Sequence, residues 1–246
     1  MRGDSMMPRW ANALVSRYRM AKYSARVCLE LRGSATRHCP ICGYEGRFQA
    51  YGLPPRFDAR CPHCASLERH RLLFLGDKDM NLFERQADVL HFAPEPAVTG
   101  FVANKVKSYR SADLRPGEAD VALNIEDIAL PDSSVDVVIA SHVLEHVNDK
   151  LALQEMRRIL RRDGRAIIMI PIVEGWESTY ENAAVVTERD RVLHFGQHDH
   201  VRSYGRDVRD RIRAAGFDLE EFVASADDCI QYGLQRGERV FVATKR

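Results

Sequence analysis

From Asp88 onward, short apolar runs alternate with stretches in which apolar positions return every three or four residues. Runs at 88–93, 108–113, 120–123, 135–140 and 166–172 are the right length for strands, and several are apolar on successive residues, as strands covered on both faces require. Between the last two, Leu153, Met156, Ile159 and Leu160 mark one face of a helix. Arg157, Arg158, Arg161 and Arg162 are expected in its last turns and Gly164 as its stop. A second helix is predicted over 207–215, ending at Gly216. Two terminal strands follow near 220–224 and 239–244, joined by a turn at Arg236 and Gly237. Strands alternating with helices imply an α/β fold built on a parallel sheet.

The first third of the chain has a different pattern. Trp10, Leu14, Tyr18, Ala21, Ala25 and Cys28 fall at three- and four-residue steps, predicting a helix over 8–31, with Arg9, Arg17, Arg19, Lys22 and Arg26 largely off that stripe. We expect the stripe to pack on its own protein and the cations to face solvent, in preference to a membrane surface or nucleic acid.

At 246 residues the chain has room for one medium domain and a small module rather than two full domains. No stretch approaches the ~18 uninterrupted apolar residues of a spanning helix, and no apolar signal core is evident, so a cytoplasmic location is expected. The net charge of +1 hides a division. Residues 1–72 hold 13 Lys and Arg against 5 Asp and Glu, and the rest hold 23 against 30, a basic head on an acidic body.

Four of the six cysteines form two Cys-x-x-Cys pairs, Cys39/Cys42 and Cys61/Cys64, with 18 residues between them. That spacing fits a four-thiolate zinc site, each pair forming a knuckle that aims two sulfurs at one ion. With every position filled by protein the ion would be structural, stapling a module too small to bury its own core. A thioredoxin-type redox pair is the poorer reading, because neither pair has a strand–helix frame. The expected organisation is a basic helix over 1–36, a zinc ribbon over 37–72 and the α/β domain over 73–246.

The segment Val89-Leu-His-Phe-Ala-Pro-Glu-Pro96 reads as a strand, a turn and a helix start, where open α/β sheets bind nucleotides. About 20 residues on, Asp113 ends the next strand with a carboxylate suited to a ribose diol.

Together with Asp136-Val-Val-Ile-Ala-Ser-His-Val-Leu-Glu-His-Val147 and the helix ending Arg158-Ile-Leu-Arg-Arg-Asp-Gly164, these segments resemble class I S-adenosylmethionine-dependent methyltransferases of the type 11 group. The resemblance covers roughly 85–245. Ser66-Leu-Glu-Arg-His-Arg71, Leu90-His-Phe-Ala-Pro-Glu95 and Phe195-Gly-Gln-His-Asp-His-Val-Arg-Ser-Tyr-Gly205 further resemble a zinc-ribbon subgroup of bacterial methyltransferases. This implies a Rossmann-like seven-stranded sheet with a reversed last hairpin and a small N-terminal zinc-ribbon module. By position, Asp113 would hold the ribose, Asn124 and Ile125 the adenine edge, and Ser141 with His142 would flank the methionine part. His91, Ala93 and Glu95 complete the expected cofactor set. Where the superfamily has Gly-x-Gly, this chain has Ala93-Pro94-Glu95, and Glu95 is expected to offset the lost backbone contacts by pairing with the cofactor's α-ammonium.

The stretch from Val173 to Tyr204 lies where relatives build substrate lids. A hydroxyl acceptor must lose a proton, and His198 or His200, then His146, are the candidate general bases. His142 and His146 are read in these roles rather than as a metal pair. Arg202 and Tyr204 either touch substrate or lock the lid to the body. The expected acceptor is a small molecule or glycan, most simply methylated on oxygen. The alternatives are an RNA methyltransferase acting on ribosomal or transfer RNA through the basic head, and a non-catalytic binding protein of the same fold.

Overall fold

The computed structural model describes residues 9–246. The chain begins with α1 (Arg9–Glu30). It continues through two small hairpins, β1 (Thr36–His38) with β2 (Glu45–Arg47) and β3 (Gln49–Tyr51) with β4 (Arg56–Arg60). Then come α2 (Glu68–Met80), β5 (Asp88–Phe92), α3 (Pro96–Val102), β6 (Ser108–Asp113), β7 (Val121–Ala122) and β8 (Val135–Ser141). A 3-10 turn at Leu144–His146 leads into α4 (Asp149–Ile159) and β9 (Leu160–Met169). After β9 come β10 (Tyr180–Glu181), α5 (Glu188–Phe195) and β11 (Arg202–Ser203), and then α6 (Val208–Ala214), β12 (Phe217–Val223), α7 (Ala226–Tyr232) and β13 (Arg239–Lys245).

The main sheet has seven strands in the order β12-β13-β9-β8-β5-β6-β7. Strands β5 to β9 run parallel, and β13 is antiparallel to both neighbours. This is the expected Rossmann-like sheet with its reversed last hairpin. Period-two alternation divides the core between its faces. Leu90, Phe92, Val138, Ala140 and Ile168 meet α4 and α6, while Val89, Val137, Ile139 and Ile167 meet α2 and α3.

Three local expectations are corrected. The helix before β9 ends at Ile159, and Arg161, Arg162 and Gly164 belong to the strand. Ser133 and Ser134 donate to the carbonyls of Arg158 and Ile159, so the loop before β8 closes the helix. Gly164 is needed for a different reason, since a Cβ there would stand 2.9 Å from the Asp136 carbonyl of β8. The terminal strands are joined by α7 and not by a turn alone.

The third correction concerns α1. Leu14, Tyr18, Ala21, Ala25 and Cys28 are all exposed, so the described part of the stripe does not pack on the body. The side chain of Trp10 lies outside the described residues. The stripe is narrow and contributes two alanines. Past the end of the helix, Leu31 accepts from Ala50 N and Ser34 donates to Asp58, tying it to the fold. Among the described residues no helix is long and apolar enough to cross a membrane.

Candidate functional site

The four cysteines converge. Cys39 N donates to Tyr44 O and Cys61 N to Ser66 O, each closing a tight knuckle. The Sγ atoms of Cys39 and Cys64 are 3.6 Å apart, those of Cys42 and Cys61 3.7 Å, and all four lie within 4.8 Å of one another. A tetrahedral ion with bonds of ~2.3 Å calls for sulfur–sulfur edges of about 3.8 Å, so the cluster fits one.

The cysteine module is fastened to the sheet domain by Arg71. The boundary expected between residues 72 and 73 falls inside α2, and Arg71 is fully buried in that helix. Its guanidinium donates to Ser66 O and Ala59 O on the module side and to Tyr232 O and Gly233 O on the sheet side, at 2.7–2.9 Å. It also lies 4.6 Å from the centroid of Phe48.

The expected cofactor residues lie in β5 and at the carboxyl ends of β5, β6, β7 and β8. Ala93 takes the left-handed conformation (φ 49°), so an alanine makes the turn that glycine makes elsewhere, at a cost of about 1 kcal/mol. Its N–H is engaged by Ala112 O. His91 is fully buried, with Nδ1 2.8 Å from the Tyr109 hydroxyl and Nε2 without a partner, and burial pushes it down to about 4. Asp113 ends β6 and accepts from Arg115 N, Asn124 is exposed with its Oδ1 accepting from Glu126 N, and Ile125 and Ser141 are buried.

Glu95 is engaged by α2. Arg69 donates to both of its oxygens from Nε at 3.1 Å and also from Nη2, and His70 Nε2 lies 2.9 Å from Oε1. Leu67 N donates to His70 Nδ1, which leaves the proton of the neutral ring on Nε2. Burial would raise the Glu95 carboxyl, but His70 and Arg69 outweigh it and hold it at about 2.

Beyond β8 a cavity of about 520 Å³ opens between the cysteine module and the sheet. Tyr51, Leu53 and Arg56 form its outer wall, and His142, Glu145, His146 and His200 its inner wall. His142 has φ 55° and sits between Glu145 (Nδ1–Oε1 3.2 Å) and Glu238 (Nε2–Oε1 3.8 Å). Burial alone would depress it, and the two carboxylates raise it to about 9. The rings of His146 and His200 meet edge to face at 4.7 Å, and His146 Nδ1 is 3.3 Å from Asp199. His198 stands apart, its side chain 63% exposed.

Arg202 and Tyr204 act as locks. Arg202 donates to Leu144 O, and the Tyr204 hydroxyl lies 3.1 Å from both Leu144 O and the Asp149 carboxylate, pinning the segment around β11 to the turn after β8. Glu145, Arg69, His70 and Glu238 carry no sequence signal of a role. The first three lie within the motifs that carry the resemblance, but only three-dimensional proximity to His200 and Glu95 gives them one.

The sequence model of the family described as "Methyltransferase domain" matches residues 87–168, from the start of β5 through most of β9. An uncharacterized protein of Methanocaldococcus jannaschii is 40% identical over 53 residues, covering 22% of this chain and 24% of its own length; the chain thus matches about a quarter of that curated relative. YcgJ of Bacillus subtilis aligns with a TM-score of 0.51 at 14% identity, over 72% of this chain and 99% of that one. The 1,6-didemethyltoxoflavin-N1-methyltransferase of Burkholderia thailandensis, solved with 1,6-didemethyltoxoflavin and S-adenosylhomocysteine, aligns at 0.50 and 18% identity, over 71% and 76%. Likeness at these identities establishes the fold. With the domain match at 87–168, these findings support an S-adenosylmethionine-dependent methyltransferase.

Proposed function

We propose that the protein moves a methyl group from S-adenosylmethionine to a hydroxyl of a small molecule or glycan, in the cytoplasm, with the cysteine module as a zinc-stapled cover over the acceptor. The observation that carries this reading is the 520 Å³ cavity, walled by histidines on the sheet side and by Tyr51, Leu53 and Arg56 of the module on the other. Asp113 would hold the ribose, Asn124 and Ile125 the adenine, and Ser141 with His142 the methionine part, with His91 and Ala93 shaping the floor. The Arg69–Glu95 pair suits the zwitterionic end of the amino acid, guanidinium toward its carboxylate and Glu95 toward its ammonium. The cofactor supplies an electrophilic methyl on a sulfonium. The chain's own work is to align the acceptor oxygen and take its proton. His200 and His146 suit that role better than His198, because they line the cavity.

The test is labelled-methyl transfer from the cofactor into a fractionated cell extract. Label in a nuclease-resistant small-molecule or glycan fraction supports the reading. Label in an RNase-sensitive fraction favours the second one, an RNA methyltransferase, which is supported by the exposed Arg17, Arg19, Lys22 and Arg26 of α1.

A further inference from the structure

We propose that Glu145, His146 and His200 bind a divalent transition-metal ion in the inner wall of the cavity, a second metal site separate from the four-cysteine cluster, whose open positions take oxygen atoms of the acceptor. The last clause rests on the proposed function, where His146 and His200 would then act as ligands and not as free bases; the metal site itself does not.

One ligand atom from each of the three residues lies within 4.8 Å of the other two. Bonds of ~2.0–2.2 Å to nitrogen and oxygen need donors about that close, so slight closure completes the set. Two imidazoles and one carboxylate on one side of an ion leave the opposite side free, an arrangement that suits Fe²⁺, Mn²⁺ or Zn²⁺ better than the all-oxygen preference of Ca²⁺ or Mg²⁺. Here the free side is the cavity.

A second observation is the state of Glu145. It is 1% exposed, its Oε1 faces His142 Nδ1, and its Oε2 is buried with no partner. A carboxylate oxygen left unpaired in the interior is costly, and a cation in this position would satisfy it. The imidazoles are held ready. His200 is 8% exposed against His146, and Asp199 at the Nδ1 of His146 leaves Nε2 as its ligand atom, the carboxylate–histidine support common around metal ions. The backbone fixes the spacing. Glu145 and His146 share the 3-10 turn, and Val201, next to His200, donates its N–H to Glu145 O at 2.9 Å.

The experiment titrates Mn²⁺ into the full chain carrying its cysteine-bound zinc, following the loss of the free Mn²⁺ electron paramagnetic resonance signal, with Fe²⁺ and Zn²⁺ followed by metal analysis. The expected result is one ion per chain beyond the zinc of the cysteines. Glu145→Gln and His200→Gln should each weaken binding at least tenfold while keeping that zinc. The part-exposed His146→Gln gives the same reading should the buried variants fold poorly. No ion beyond the cysteine zinc, or binding that all three variants retain, overturns the site. Metal binding without methyl transfer leaves the site standing and removes the proposed function; methyl transfer with no second ion does the reverse.

Discussion

Arg69 of α2 holds Glu95 of the turn after β5, with its Nε 3.1 Å from each carboxylate oxygen. Through this contact the helix that leaves the cysteine module reaches the corner of the sheet where the amino-acid end of a cofactor is expected. Module and crevice are therefore coupled, and substitutions on one side should be read out on the other.

Removing either partner should weaken the cofactor more than it weakens the fold. Glu95→Gln and Arg69→Met are each expected to lower affinity for S-adenosylhomocysteine about 10- to 100-fold, the range for loss of a charged hydrogen bond. Calorimetric titration of both variants checks this, and unchanged affinity would separate the pair from the cofactor.

Arg71 is expected to be the larger stability determinant. Arg71→Met strands the carbonyls of Ser66, Ala59, Tyr232 and Gly233, at a cost of about 3 kcal/mol or more. Denaturant unfolding measures it. A loss below about 1 kcal/mol would mean that the module docks without it.

Chelation should loosen the module first. Withdrawing a structural ion, or Cys61→Ser, is expected to lower the thermal midpoint and open the module to protease between residues 36 and 66, while circular dichroism of the sheet domain persists. A midpoint and cleavage pattern indifferent to strong chelators would contradict the four-thiolate site.

Mild acid should destabilise the protein through His91. Burial pushes this histidine to about 4, against the opposing charge of Glu95 and helped by His70, whereas the unfolded chain protonates it near 6.5. Between those values the unfolded state holds the extra proton, so the His91 contribution is constant above about pH 6.5 and costs stability toward pH 4, by on the order of 3 kcal/mol. The Glu95 carboxyl, held at about 2, adds stability present above about pH 4.5 and lost as the pH falls further. Urea midpoints from pH 7.5 to 4.5 test this. The wild type should lose stability across the window, and His91→Gln should lose less.

Much of the sheet was legible because its signal is local. The run at 135–140 is largely apolar and short, and it is the strand β8. The cysteine knuckles were legible for the same reason. What escaped depended on tertiary competition. Leu160 has helical spacing, but pairing with Val135 draws it into β9, and the stripe of α1 has good periodicity while its described side chains stay exposed. The site divided along the same line. His146 and His200 were singled out as histidines, but the buried Glu145 between His142 and the lid becomes visible only once Val201 has paired with its backbone.

The most direct measurement is titration of the wild-type chain and Asp113→Ala with S-adenosylhomocysteine. Saturable one-to-one binding below millimolar ligand is expected, weakened at least tenfold when the carboxylate at the end of β6 is removed. No binding at millimolar ligand, or equal binding by both proteins, would contradict it.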